Sequence, residues 1–327
     1  MDFNEKINKL RTEIAKALIP VIDNDYVLLG LPYYDNVGDV LIWEGTENFL
    51  RTLSHKCLKR ASIDTFDFGI LDSNVIILLQ GGGNFGDIWI EHQAFRLKII
   101  EKYPQNKIVI LPQTVFYTDD FILKKECVLL SDHSRLTICV RDKRSYDLLK
   151  MSTSNQILLI PDMAFYIDLQ YIHRFVGKVR DKALLLKRKD KEIVDWDFNE
   201  YIKGERWVEV RDWPSMEKKS LLLRLLYKLV SIQIKTNFPI GDIFAFYYYR
   251  NRVIAQGVEF VSQYKNIYTT RLHVAILSIL LNKPFFFFDN SYGKNSSFFD
   301  TWLFDLDNVE FISKKYVQRS KCNCLLL

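Results

Sequence analysis

The first half of the chain alternates short, unbroken apolar runs with longer segments whose apolar positions recur every three or four residues. The runs are Tyr26–Pro32 (YVLLGLP), Asn74–Gln80 (NVIILLQ), Lys107–Gln113 (KIVILPQ), Leu136–Asp142 (LTICVRD) and Gln156–Asp162 (QILLIPD). Leucine and β-branched runs without polar alternation predict strands buried on both faces, as in a parallel sheet covered by helices. The segments Gly38–Leu53, Ile88–Tyr103, Asp119–Asp132 and Lys143–Met151 predict those helices. This order predicts a doubly wound α/β domain.

The second half restarts the series. Strand patterns at Lys182–Lys189 and Arg206–Val210 precede a long helical region, Lys218–Tyr264. A strand at Asn266–Arg271, a helix at Leu272–Asn282, a strand at Pro284–Asn290 and a helix after Asn295 follow. The chain is 327 residues long, enough for two domains. A polar stretch near Asp168–Lys182 sets the expected boundary, giving domains 1–172 and 173–327. Two doubly wound, Rossmann-like domains facing across a cleft are expected, with ligands at the carboxyl ends of the strands.

Composition narrows the class. Hydrophobic residues make up 48% and charged residues 26%, which excludes a disordered or fibrous chain. A net charge of +5 suits an anionic small substrate or a membrane surface and is too weak to argue for nucleic acid. The five cysteines are scattered, and Cys322 and Cys324 lie near the end, so neither a disulfide framework nor a structural zinc site is expected. The first twenty residues are charged throughout, unlike a signal peptide, and no apolar stretch suits a membrane span. A reduced, cytoplasmic protein is expected. The histidines lack metal-ligand spacing and no paired-carboxylate cluster appears, so no metal is expected.

The candidate chemistry sits where strands end and helices begin. Asn36, Gly38 and Asp39 follow the first strand. Gly81, Gly82, Gly83, Asn84, Gly86 and Asp87 follow the second run. Consecutive glycines let a backbone approach a ligand closely, or pack a helix tightly on a strand. A dinucleotide reading of Gly81, Gly83 and Gly86 lacks the acidic residue that should end the next strand. Arg141 ends the Leu136 strand, where it can fork onto an anion or pair with Asp142 or Asp162.

Arg271 and His273 carry the sharpest signal. Thr270 is a plausible N-cap, and the two cationic residues then occupy the first turn of an apolar helix. Cations there oppose the helix dipole, a cost that a bound anion offsets. Against this stands the plainer reading of His273 as a satisfied core histidine. Lys294 follows the next strand end, either as a further charge for the site or as a solvated loop lysine.

The motifs NVGD, GGGNFGD, ILPQT, VRDKRSYDLL, IPDMAF, TTRLHVAI and DNSYGK, in that order from Asn36 to Lys294, resemble the polysaccharide pyruvyl transferases. None of these motifs falls in the region Lys182–Tyr264. The resemblance implies a GT-B-like pair of domains. It implies transfer of pyruvate from phosphoenolpyruvate, a co-substrate rather than a cofactor, onto a hexose such as galactose in a surface polysaccharide or its lipid-linked precursor. A cyclic ketal forms and phosphate leaves. The family's donor-site arginine and histidine fall on Arg271 and His273, its other arginine on Arg141 and its lysine on Lys294. The aspartate after its glycine-rich loop falls on Asp87. His273 is then the general acid and Asp87 the base or acceptor-positioning residue, with the acceptor on the side of Asn36, Gly38 and Asp39. Thr114 stands where many relatives have serine, and Val274 where many have alanine or glycine.

Two expectations remain. A glycosyltransferase using a nucleotide sugar is the alternative, with Asp289 as the one candidate for the donor ribose. Residues 218–252 hold seven Lys or Arg against one acid, Asp242, on a leucine-rich helix followed by a Phe/Tyr cluster. That composition suits peripheral attachment to an anionic membrane surface, at the inner face of the cytoplasmic membrane, or a helix pair whose charges face water.

Overall fold

Twelve strands form two sheets in a computed structural model that describes residues 1–187, 196–217, 220–290 and 293–313. The first sheet contains β1 (Tyr26–Leu29), β2 (Cys57–Ala61), β3 (Ile76–Leu79), β4 (Gly82–Gly86), β5 (Ile108–Phe116), β6 (Leu136–Val140) and β7 (Gln156–Leu159). Their order is β2-β1-β3-β5-β6-β7, with β4 beside the second half of β5. The second sheet contains β8 (Arg180–Leu186), β9 (Val208–Arg211), β10 (Tyr264–Thr269), β11 (Phe285–Phe288) and β12 (Val309–Ile312), in the order β12-β11-β10-β8-β9.

Every pairing is parallel. Each sheet reverses its direction of growth once, between β1 and β3 and between β8 and β10. In open parallel sheets such reversals open a crevice at the carboxyl ends of the strands. The central strands β1, β3 and β6 are buried throughout. Ile77, Ile110, Ile138 and their neighbours pack on Phe95, Ile99, Leu123 and Leu130. Burying each such side chain contributes about 1.5–3 kcal/mol. In the second sheet Leu185, Tyr268, Phe288 and Ile312 form the corresponding core.

By internal packing the described residues divide into two units. One holds those of Lys9–Asp168 and Lys219–Val253; the other holds those of Met1–Asn8, Leu169–Lys218 and Ile254–Leu327. Both are discontinuous, where the sequence suggested one boundary at 172/173. The long helical region explains much of this. It is broken into Leu221–Thr236, Ile240–Phe244, a π turn Ala245–Tyr249 and Arg250–Ser262. Asp242 ties it to the first sheet's unit, accepting from Tyr33 Oη at 2.9 Å and Thr65 Oγ1 at 2.7 Å. At the amino end, Phe3 stacks on Phe285 of the second sheet. No helix among the described residues is long and apolar enough to cross a membrane. Cys322 and Cys324 lie outside the described residues.

Candidate active site

In the first unit the motifs converge at the β1/β3 reversal. Asn36 caps the helix Val37–Leu50, its Oδ1 accepting from Gly38 N at 3.0 Å. Its Nδ2 donates to Asp39 Oδ2 at 2.7 Å, and Tyr34 Oη donates to the same oxygen at 3.0 Å. Asp39 thus has one oxygen fixed by two donors. Its other oxygen lies 3.6 Å from where a Cβ on Gly82 would sit.

The glycine run forms strand β4 rather than a loop opening a helix; the next helix begins at Ile90. Two glycines there have architectural reasons. A Cβ on Gly81 would lie 2.7 Å from Pro112 O, and one on Gly86 (φ +124°) would lie 1.8 Å from Phe116 O. Asn84 N donates to Gln113 Oε1 at 3.3 Å, and Asn84 Oδ1 accepts from Arg96 Nη2 at 2.8 Å. Arg96 is buried over the Phe85 ring, and burial pulls its guanidinium down to about 10.

Asp87 is committed elsewhere. Its carboxylate accepts from Thr118 N and Oγ1 and from Asp119 N, at 2.6–2.9 Å, anchoring the turn after β5. Three residues to which the sequence reading gave no role are candidates for the site. Gln80, at the carboxyl end of β3, is buried with neither side-chain polar atom hydrogen-bonded among the described residues. His92 packs edge-on against Tyr34, half-buried, and its ring has no hydrogen-bond partner among the described residues. Burial favours its neutral form and outweighs the nearby Asp39 carboxylate. Trp89, one turn earlier, is exposed. The periodicity that marked this helix gives no sign that the Asp39 carboxylate acts on His92.

Arg141 is fully buried and pairs with Asp162, one of the two partners the sequence offered. Its Nε donates to Thr114 Oγ1 at 2.9 Å. Asp162 also caps the turn Met163–Tyr166 through Ala164 N at 2.9 Å. Asp142 caps the next helix by accepting from Ser145 N at 2.9 Å, and Ser145 Oγ accepts from Val115 N at 2.8 Å. The LPQT, VRD–S and IPD motifs are therefore one hydrogen-bonded assembly.

In the second unit the signal sits at the β8/β10 reversal. The helix Leu272–Leu280 has Arg271 itself as N-cap, not Thr270; Thr269 Oγ1 accepts from Arg271 N at 2.9 Å one residue earlier than expected. Asp212, following β9, accepts from Arg271 Nε at 2.6 Å and Nη2 at 2.7 Å. His273 is half-buried in the first turn, which holds no acid. Lys294 is buried and opens the short helix after β11, its N donating to Asn290 Oδ1 at 2.7 Å. Asn295 Nδ2 donates to Thr270 O and Phe288 O, both at 2.8 Å, joining the ends of β10 and β11. Arg271, His273 and Lys294 thus stand on adjacent strand ends. Asp289 is engaged by the amides of Asn290 and Ser296 at 2.9 and 3.0 Å. Ser291 and Tyr292 of the DNSYGK motif lie outside the described residues. Among the described residues no group of three His, Cys, Asp or Glu is placed to hold a metal ion.

The polysaccharide pyruvyl transferase family model matches residues 36–292. EpsO of Bacillus subtilis, named as a pyruvyl transferase, is 32% identical over 318 residues, 95% of this chain and 96% of EpsO. Pyruvyl transferase 1 of Schizosaccharomyces pombe is 25% identical over 306 residues, 87% of this chain and 72% of that protein. The crystal structure of a functionally uncharacterized Klebsiella pneumoniae protein shares the fold, with a TM-score of 0.64 at 22% identity over 93% of this chain and 98% of that one.

Proposed function

The chain belongs to the polysaccharide pyruvyl transferase family and is a transferase; we propose that it moves pyruvate from phosphoenolpyruvate onto a hexose, galactose in this reading, of a surface polysaccharide or its lipid-linked precursor. The observation that carries the donor assignment is Arg271, held by Asp212 at the positive end of a helix, with Lys294 on the adjoining strand end. Phosphoenolpyruvate is a compact anion with a carboxylate and a phosphate, matched by an arginine fork, an ammonium and helix amides. Arg141, whose guanidinium is fixed by Asp162, is the anion-binding candidate of the first unit in this reading.

His273 protonates the methylene carbon of the donor, which makes C2 electrophilic. A hydroxyl of the acceptor bonds to C2 as its proton passes to a base. A second hydroxyl then attacks C2, its proton passing to the departing phosphate oxygen as the C2–O bond breaks, and the ketal ring closes. The acceptor is assigned to the first unit's cluster, with Gln80 and Asp39 for sugar hydroxyls, Trp89 as a stacking face and His92 as the proton acceptor. That replaces Asp87, whose carboxylate holds the 118–119 turn.

The test measures thermal stability with phosphoenolpyruvate, UDP-galactose and UDP-glucose separately, then phosphate release with galactoside acceptors. Stabilisation by phosphoenolpyruvate and acceptor-dependent phosphate release are expected. A shift with the nucleotide sugars alone would sink the reading in favour of glycosyl transfer.

A further inference from the structure

The helix Leu221–Thr236 buries Leu223, Leu226 and Val230, yet its other faces are not those of a water-facing helix. Leu221, Tyr227 and Ile234 there, and Phe238, Tyr247 and Tyr248 on the segment that folds back, each have half or more of their surface exposed. Apolar side chains at this density on one short stretch mark an interaction surface.

The arrangement is built, not loose. Asn237 turns the chain in the left-handed region at φ 56°, so the two arms double back on each other. Gly241 seats one arm against the other: a Cβ there would lie 2.9 Å from Val230 Cγ2. Asp242 then accepts from Gln233 Nε2 at 2.6 Å, besides Tyr33 and Thr65, which pins both arms to the first sheet's unit.

Charge decides the occupant. Arg224, Lys228, Lys235 and Arg252 are exposed, while Asp242, the segment's one acid, is buried. A second copy meeting this surface about a twofold axis would set these cations against their own counterparts with no exposed acid from the segment between them. An anionic lipid surface takes both halves of the pattern, with phosphates against the cations and rings at headgroup depth.

We propose that the hairpin of residues 220–249 docks the protein on an anionic lipid bilayer, lying in the interface without crossing it. This stands on the exposed surface alone and does not depend on the donor or acceptor assignments.

The test is sedimentation of the full chain with vesicles of phosphatidylglycerol and phosphatidylcholine in equal parts, and with phosphatidylcholine alone. Recovery with the anionic vesicles only, falling as salt rises, is expected. Each cation near such a surface is worth about a fivefold change in partitioning. The combined Arg224→Glu, Lys228→Glu and Lys235→Glu variant should therefore lose binding by well over tenfold. Combined Phe238→Ser, Tyr247→Ser and Tyr248→Ser should remove the part that survives high salt. All six positions are exposed or at the surface, and circular dichroism matching the parent confirms folding. Equal recovery of the parent with and without vesicles, or unchanged binding in both variants, overturns the proposal. So does a dimer in solution that the ring variant dissolves, which would assign the surface to a second copy.

Discussion

Asp212 holds Arg271 with both carboxylate oxygens, at 2.6 and 2.7 Å, across 59 positions of sequence. The pair is nearly buried, so the guanidinium reaches its place already oriented and desolvated. Arg271→Ala is expected to cut phosphate release by about 10- to 150-fold, the equivalent of a lost charge-assisted contact of about 1.5–3 kcal/mol. Asp212→Asn keeps an acceptor but loosens the fork, so KM for phosphoenolpyruvate should rise more than kcat falls. Steady-state kinetics with varied donor checks both. Parent-like values in both variants would place the donor anion elsewhere.

Arg141 and Asp162 make the corresponding pair in the first unit, fully buried and joined to the ends of β5 and β6. Arg141→Ala strands a buried carboxylate, which costs about 3–5 kcal/mol. A loss of unfolding free energy of that size, read from the lowered urea midpoint at unchanged m, is expected. Arg141→Met combined with Asp162→Leu removes both charges and should recover part of it, the remainder being the cap on Ala164. If the double variant is no more stable than the single one, the pair does not carry the effect.

The strands that sequence reading found carry apolar runs, unbroken where both faces are buried as in β1, β3 and β6, and shorter in the part-exposed edge strands β7 and β9. It missed β2 and β12, edge strands with half-exposed residues and hence no such run. It missed β4 because Gly-Gly-Asn-Phe-Gly has no strand propensity; its pairing is imposed by β5 running on to Phe116. The cationic residues at strand ends were legible because cations at a helix start violate a local rule. Asp212, Gln80 and His92 violate none. Their meaning comes from parallel strands bringing distant ends together, and no local pattern encodes that.

Asp87 offers a test between anchoring and chemistry. Its carboxylate accepts two amides and a hydroxyl from Thr118 and Asp119. Asp87→Asn leaves one acceptor oxygen and should destabilise by about 1–2 kcal/mol. Turnover at saturating substrates should stay near the parent's, with the pH profile unmoved. Loss of a base would instead slow the reaction by about a hundredfold or more, and that result would return the role to Asp87.

His92 should leave its mark on pH dependence. Burial sets its titration below the ordinary 6.5, and Asp39 partly restores it. Above pH 6.5 the ring is neutral in both folded and unfolded chains, and stability is unaffected. Below it the unfolded chain takes the proton first, so stability declines until the folded ring titrates too. His92→Gln should flatten that decline. As proton acceptor the neutral ring also gives kcat/KM an acid limb with its midpoint below 6.5, and His92→Gln should abolish the limb and slow turnover by about 10²–10⁴-fold. Asp39→Asn supplies the decisive direction. Removing a carboxylate that favours the imidazolium lowers the ring's pKa further, so the acid limb should move to lower pH. A limb that stays in place, or moves up, would mean that another group carries the proton.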